Sequence, residues 1–261
     1  MQIRFYKYQG TGNDFVIIDN RNGSHDALTT AQVARLCDRR FGIGGDGLML
    51  LNTREGYDFE MKYHNSDGRE ATLCGNGGRC LVKFAYDMGM VKTTYRFLAI
   101  DGEHEAEVDI DGTVALKMND VNEVKQQRNG QFVLNTGSPH FIEFSQDVMS
   151  LDVFNKGRRI RNSPEFVKEG INVNFVEQTG KDRIIVRTYE RGVEDETYSC
   201  GTGVTAAALV CFHNDNGFNR VEVKTKGGNL SVEYDKIGNT YKDIWLNGPA
   251  ERVFEGMIEI R

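Results

Sequence analysis

One cysteine motif occurs twice in the chain. Cys74-Gly75-Asn76-Gly77 recurs as Cys200-Gly201-Thr202-Gly203, 126 positions later. Without gaps, the same offset pairs Phe15 with Phe141, Gly44 with Gly170, Tyr63 with Tyr189, Glu70 with Glu196, Gly102 with Gly228, Glu107 with Glu233 and Asp109 with Asp235. A single shift that aligns points across nearly the whole chain marks an internal duplication. Each copy takes about half of the 261 residues, enough for a domain and far more than a solenoid repeat. The expected fold class is therefore α/β (α+β): two pseudo-symmetric domains, residues 1–119 completed by 250–261, and residues 120–249. Two like domains facing each other present two thiols to one cleft.

Bulk properties narrow the partners. A net charge of −6 without a basic run argues against nucleic acid. The longest apolar run, from Ala206 to Phe212, falls far short of the roughly 20 residues that span a bilayer, so no membrane association is expected. The N-terminus lacks the apolar core of a secretory signal. Five cysteines, an odd count without disulfide spacing, read as thiols in a reducing, cytoplasmic setting. Oligomeric state is left open, with a homodimer as one option.

Along the chain, Ile3–Tyr8 and Phe15–Asp19 read as strands around Gly10-Thr11-Gly12-Asn13-Asp14. Thr29 and Gln32 form a capping box, followed by Val33, Leu36, Cys37 and Phe41 at helical spacing. Further strands are expected at Leu48–Leu51 and Phe59–Tyr63, then a helix from about Gly77 to Met88, then strands near Tyr95–Ile100, Glu105–Asp109 and Val114–Met118. The second copy repeats the order: strands Phe132–Asn135 and Phe141–Phe144, a helix start at Ser163-Pro164-Glu165, strands Val173–Glu177 and Arg183–Tyr189, and a buried helix from Cys200 through His213. Strands near Val221–Thr225, Leu230–Tyr234 and Tyr241–Leu246 complete it. Each copy is expected to be a curled sheet around one central helix with a cysteine at its N-terminus, and Arg252–Arg261 to complete the first sheet. Gly42-Ile43-Gly44-Gly45-Asp46-Gly47 has dinucleotide-type spacing, but a helix precedes it and a strand follows, so it reads as a turn.

The chemistry lies at the two cysteines. A helix N-terminus favours negative charge, which makes a thiolate more accessible and lets backbone N–H groups hold a carboxylate. Two such ends can grip one carboxylate with a thiol on either side of the adjacent carbon. Inverting a carbon that bears a hydrogen needs a base on one face and an acid on the other; no cofactor and no metal is called for. Cys37, Cys80 and Cys211 lie on apolar helix faces and read as packing. A redox pair is the rival of a different class, although Cys-x-x-Cys is absent.

With these residues in view, the chain resembles the diaminopimelate epimerase family, the pyridoxal-independent enzymes that interconvert LL- and meso-2,6-diaminopimelate in lysine and peptidoglycan precursor synthesis. The resemblance rests on Gly-Asn-Asp-Phe at 12–15, Phe-Gly-Ile-Gly at 41–44, Asn65-Ser66-Asp67-Gly68, the two cysteine motifs, Pro139-His140, Asn172-Val173-Asn174-Phe175 and Tyr189-Glu190-Arg191-Gly192. It implies Cys74 and Cys200 as the acid/base pair, and His140 and Glu190 as neighbours that tune them. It also implies substrate binding by Asn13, Asn65, Asn172, Glu190 and Arg191 with the backbone at Gly75-Asn76 and Gly201-Thr202. Related proline and hydroxyproline racemases are the nearest alternative, but their substrates lack the second carboxylate that Arg191 would hold. Two positions depart from the family: Gly47 stands where a glutamine is usual, and Ser138 where an asparagine is usual. Both shorten a polar side chain near the expected distal pocket, so the expectation is room that other members fill, with water or a neighbouring side chain replacing the missing hydrogen bonds.

Overall fold

The computed structural model describes residues 1–127, 130–211 and 216–260. The chain divides into two compact units, Met1–Leu116 with the segment from Gly248 onward, and Lys117–Asn247.

The first unit is an eight-stranded mixed sheet. Its strands are β1 (Gln2–Gly10), β2 (Asn13–Asp19), β3 (Gly47–Asn52), β4 (Phe59–Asn65), β5 (Thr94–Ala99), β6 (Gly102–Val108), β7 (Val114–Lys117) and β17 (Glu251–Glu259). β17 pairs antiparallel with the far edge of β1, so the C-terminal stretch does return to the first sheet. β2–β3 and β4–β5 are the parallel pairs; the other neighbours run antiparallel. Helix α1 (Thr30–Cys37) covers one face and α2 (Gly75–Asp87) the other. That is why β2 is apolar at consecutive positions rather than alternate ones: Val16 and Ile18 join Val33 and Leu36 of α1 in one cluster, while Phe15 points to α2. The Thr29–Gln32 capping box forms in both directions, worth about 1 kcal/mol.

The second unit holds β8 (Val124–Gln126), β9 (Phe132–Asn135), β10 (Pro139–Phe144), β11 (Asn172–Gly180), β12 (Arg183–Glu190), β13 (Asp195–Thr197), β14 (Gly217–Thr225), β15 (Gly228–Ile237) and β16 (Thr240–Gly248), with α3 (Val153–Arg161) and α4 (Gly201–Cys211). From β8 to β16 its ladder repeats the first unit's order of parallel and antiparallel pairs, with β10–β11 and β12–β14 parallel. Helix α4 is buried on nearly every side. Phe212 and His213, expected in that helix, lie outside the described residues.

Pairing and side-chain direction correct the gapless offset. Thr94↔Glu107 and Arg220↔Glu233 are 126 apart, as are Ala99↔Gly102 and Thr225↔Gly228. Upstream of the cysteines, however, the pairs Phe15↔Gly47 and Gly47↔Asn65 answer to His140↔Asn172 and the register that opposes Asn172 to Glu190, a shift of 125. The bridge His64↔Glu70 matches Tyr189↔Glu196, so the extra residue of the second copy sits between these points. A one-residue slip reverses every side chain on a strand. Phe141 and Tyr189 accordingly pack in the cluster with Val153 of α3, while Phe15 faces α2 and packs edge-on against Tyr63. The true counterparts are Phe15 and His140, Met49 and Asn174, Tyr63 and Thr188. The Phe15–Phe141 and Tyr63–Tyr189 identities are accidental.

Two local expectations also change. Phe41 is not on α1: Asp38 caps the helix end and accepts from the Arg40 and Phe41 amides, leaving Phe41 65 % exposed. The glycine-rich stretch after it is a turn, as its context predicts: its amides go to the end of α1, from Ile43 and Gly44 to Leu36 O and from Gly45 to Cys37 O, and are not presented to a phosphate. Ser163-Pro164 starts no helix. The α-helix of that region is α3, capped by Asp152, and Ser163 follows its C-terminus.

Candidate functional site

In the first unit, α2 begins two residues earlier than expected, which makes Cys74 itself the N-cap residue in extended conformation. Its backbone carbonyl takes the first helical bond from Gly78 N, and its sulfur does not cap its own helix. Cys74 is half-buried. Its Sγ lies 3.6 Å from Asn13 Oδ1. The orientation of Asn13 is fixed chemically, because its Nδ2 donates to the Asp46 carboxylate at 2.5 Å, a group that only accepts. The oxygen must therefore face Cys74 and Asn76, whose Nδ2 donates to it at 3.3 Å. Asn76 Oδ1 in turn accepts from Arg79 at 3.0 Å. The turn that delivers Asn13 has Thr11 and Gly12 both at positive φ, 51° and 82°, as a tight two-residue hairpin requires. Behind Asn13, Arg39 pairs with Asp14 and Asp46. Burial pushes the Asp14 carboxyl up, but hydrogen bonds and charge from Arg39 and Lys7 outweigh it and hold the acid down at about 2. Asn65 lies exposed at the end of β4, where its backbone closes the Ser66–Gly68 turn.

In the second unit, Cys200 precedes α4, is 7 % exposed and accepts the first helical bond from Val204 N on its carbonyl. Its Sγ lies 3.5 Å from Thr202 Oγ1. Gly201 and Gly203 are buried in the first turn. The floor below that turn is polar. Asn174 Nδ2 donates to Phe141 O and to His140 Nδ1, both at 3.1 Å, and its Oδ1 accepts from Thr188 at 2.9 Å. The Phe141 carbonyl can only accept, so the amide orientation is settled and His140 Nδ1 must be the bare nitrogen. The proton then sits on Nε2, which is buried and has no partner among the described residues. Burial, and secondarily the charge of Arg191, lower the His140 pKa to about 3. His140 is thus a neutral N–H donor, not an imidazolium.

The other expected residues gather on the same unit. Asn172 Nδ2 donates to Ser138 Oγ at 2.9 Å, and its Oδ1 accepts from the Arg191 backbone at 2.8 Å. The Arg191 guanidinium donates to Glu169 O at 3.1 Å and to Ser138 Oγ at 3.4 Å. Glu190 accepts from Thr197 Oγ1 at 2.9 Å. At Ser138 neighbouring side chains take up the hydrogen bonds, its Oγ tying Asn172 to Arg191. Gly47 leaves no gap. A Cβ there would lie 2.6 Å from the His64 carbonyl and 2.5 Å from the Tyr63 ring, so no side chain fits, and the expectation of room at Gly47 is overturned.

Arg79 and Asn174 are not among the residues expected at these sites. Arg79 could have been noticed as a charge on an otherwise apolar helix face, and Asn174 as a second asparagine two residues after Asn172, on the same side of a strand. Cys37 and Cys80 are buried thiols whose pKa burial lifts to about 12, and Cys211 is raised further by the same cause. No described helix is long and apolar enough to cross a membrane.

Comparison with known proteins bears on what these sites do. The family model described as diaminopimelate epimerase matches residues 5–124 and 132–253. A protein named diaminopimelate epimerase from Flavobacterium psychrophilum is 47 % identical over 257 residues, covering 98 % of this chain and all of the relative. Its namesake from Chlorobaculum tepidum is 46 % identical over 261 residues, 96 % of this chain and 99 % of its own. Among solved structures, a phenazine biosynthesis protein of the PhzF family from Bacillus anthracis superposes with a TM-score of 0.78 at 15 % identity over the full length of both chains. A hydroxyproline epimerase from Agrobacterium vitis gives 0.68 at 13 % over 98 % of this chain and 92 % of its own; at such identities these two share the fold alone. On its full-length sequence match, the chain belongs to the diaminopimelate epimerase family.

Proposed function

We infer that this protein is an isomerase that interconverts LL- and meso-2,6-diaminopimelate by two-base chemistry, with Cys74 and Cys200 as the two reacting thiols. One observation carries the assignment: in a chain that matches the family end to end, each unit puts a cysteine at the mouth of its buried helix, within a Cys-Gly-x-Gly turn. One sulfur, as thiolate, takes the α-proton from one face of the carbon, and the electron pair is delocalised onto the adjacent carboxylate. The second sulfur, as thiol, returns a proton to the opposite face. The thiol and thiolate roles are then exchanged, and the reverse reaction uses them in that order. Helix N-termini favour the charge that builds on the carboxylate. The steps call for no cofactor.

The remaining roles follow from the chemistry of each group. His140, neutral and with a proton on Nε2, acts as a hydrogen-bond donor to charge near Cys200 rather than as a base. Glu190 is its acidic counterpart. Asn13, Asn65, Asn172, Glu190 and Arg191, with the backbone at Gly75-Asn76 and Gly201-Thr202, hold the substrate, and the Arg191 fork takes the distal carboxylate. A protein that works through two reduced thiols belongs in a reducing compartment such as the cytoplasm.

The test is incubation of the purified protein with LL- or meso-diaminopimelate in D2O, followed by mass spectrometry and chiral separation. The expected result is one deuterium at the inverting carbon, acquired with inversion. Absence of exchange with both isomers in excess reductant, or equal turnover of proline, would refute the assignment.

A further inference from the structure

Against the first turn of α2 lies a charge that the two-thiol scheme does not use. Arg79 is fully buried. Its hydrogen bonds go only to neutral oxygens: Gly75 O at 3.3 Å, Asn76 Oδ1 at 3.0 Å and Thr11 Oγ1 at 3.4 Å, while Nε has no partner. Among the described residues no carboxylate is paired with it. A buried cation without a counter-charge is costly. Here the cost is greater, because the first turn of a helix already carries partial positive charge.

The nearby charges do not relieve it. Asp14 on β2 is engaged by Lys7 and Arg39. Asp87, at the end of α2, is engaged by Lys83 and the Tyr8 hydroxyl. From β17, Arg252 pairs with Glu255. From β6, Glu103 pairs with Arg96 and His104 with Asp101, and β3 has no titratable side chain. The groups whose charge acts on Arg79 are Cys80 and then Cys74. Burial raises Cys80 to about 12, so it stays a thiol.

We propose that Arg79 is a positioning residue whose buried charge favours the thiolate of Cys74, making Cys74 the more acidic of the two reacting thiols. The proposal rests on the reading of Cys74 and Cys200 as that pair. The second unit supplies the contrast. Thr205 occupies the place of Arg79 and bonds the equivalent carbonyl, Gly201 O, at 3.0 Å, but brings no charge to the helix; the cation that acts on this floor is Arg191, which bonds Glu169 O and Ser138 Oγ and whose charge reaches His140. The Asn13 oxygen, which accepts from the Cys74 thiol, works in the opposite direction. At 3.6 Å it is a weak contact beside a full charge in a site of low dielectric.

The test follows alkylation of the substrate-free protein by iodoacetamide across pH, with the Cys74 and Cys200 peptides quantified by mass spectrometry in the same samples. The midpoint of rate against pH reports each thiol independently of its accessibility. In the native protein, Cys74 should titrate below Cys200. In Arg79→Met the Cys74 rate at neutral pH should fall about 10-fold or more, a midpoint rise of about one unit. Arg79→Lys should restore most of it, and Cys200 should be unmoved in both. A Cys74 midpoint at or above that of Cys200 in the native protein overturns the proposal even if Arg79→Met fails to fold. So does an unshifted Cys74 midpoint in a folded Arg79→Met. Neither outcome depends on epimerisation, so deuterium exchange that survives such a result leaves the proposed function standing.

Discussion

Gly77 and Gly203 occupy the same place in the two copies, the third residue of each helix, yet the same substitution should act differently at each. At Gly77 an added Cβ would meet Met49 Sδ and the Phe15 ring at 3.4 Å, close to ordinary contact with groups that can yield. A helical alanine gains up to about 1 kcal/mol over glycine, so Gly77→Ala should lie within about 1 kcal/mol of the native protein. At Gly203 the Cβ would lie 2.3 Å from Asn174 Oδ1. Asn174 cannot retreat without loosening its bonds to Thr188, His140 and Phe141. Three neutral hydrogen bonds at roughly 1 kcal/mol each, less the helix gain, give a net loss of about 2 kcal/mol. Overpacking of a rigid core falls in the same range. Urea unfolding followed by fluorescence suits the measurement, since the single tryptophan, Trp245, lies on β16 in the second unit. Far-ultraviolet circular dichroism follows both units. Equal shifts for the two alanines, or a Gly203→Ala protein as stable as the native one, would refute the packing argument.

Cys74→Ala and Cys200→Ala should each lower epimerisation by at least about 10²–10⁴-fold with the fold retained. Near-native turnover by either, measured with chiral separation of the product, would end the two-thiol scheme. His140 has a folded pKa of about 3 against an ordinary value near 6.5. Between those values the unfolded chain binds the extra proton, so its contribution to stability is present above about pH 6.5 and lost as pH falls toward 3. Replacing it with the non-titrating His140→Gln should make stability decline less steeply with acid, by on the order of 1 kcal/mol per pH unit; an unchanged slope in urea titrations would mean that His140 is already protonated in the folded state. Gly47→Ala should destabilise the first unit by about 1–3 kcal/mol, because the His64 carbonyl 2.6 Å from the new Cβ is backbone and cannot swing aside. A neutral effect in thermal melts would show that β3 and β4 can separate there.

The cysteine motif announced the duplication because it sits where both copies need the same backbone: glycine at a crowded helix start, and a thiol at its mouth. The Thr29–Gln32 box was equally legible, since capping is local chemistry. What failed was whatever depended on distant atoms. Phe41 continued the periodicity of α1, but Asp38 had already turned the chain. Ser163-Pro164 had the form of a helix start, yet α3 came before it, in the polar Val153–Arg161 stretch that buries only Val153 and Gly157. The glutamine missing at 47 suggested space, because sequence shows which side chain is absent and not what has moved against the glycine.

The largest error, the single offset, is also the most informative. Identities at 126 in the early strands compared residues on opposite faces of the sheet. Once the strands are aligned at 125, the floor under α2 is Phe15, Met49 and Tyr63, whereas the floor under α4 is His140, Asn174 and Thr188. The first unit thus has an apolar floor and places a full charge, Arg79, against the first turn. The second has a neutral hydrogen-bonded floor and an uncharged Thr205 against that turn. Duplication preserved the frame that holds each sulfur at a helix mouth, and divergence fell on the groups behind it. Two-base inversion needs one thiolate and one thiol at a time and exchanges their roles in each turnover, so this inequality bears on which sulfur rests as the base and not on whether inversion can occur.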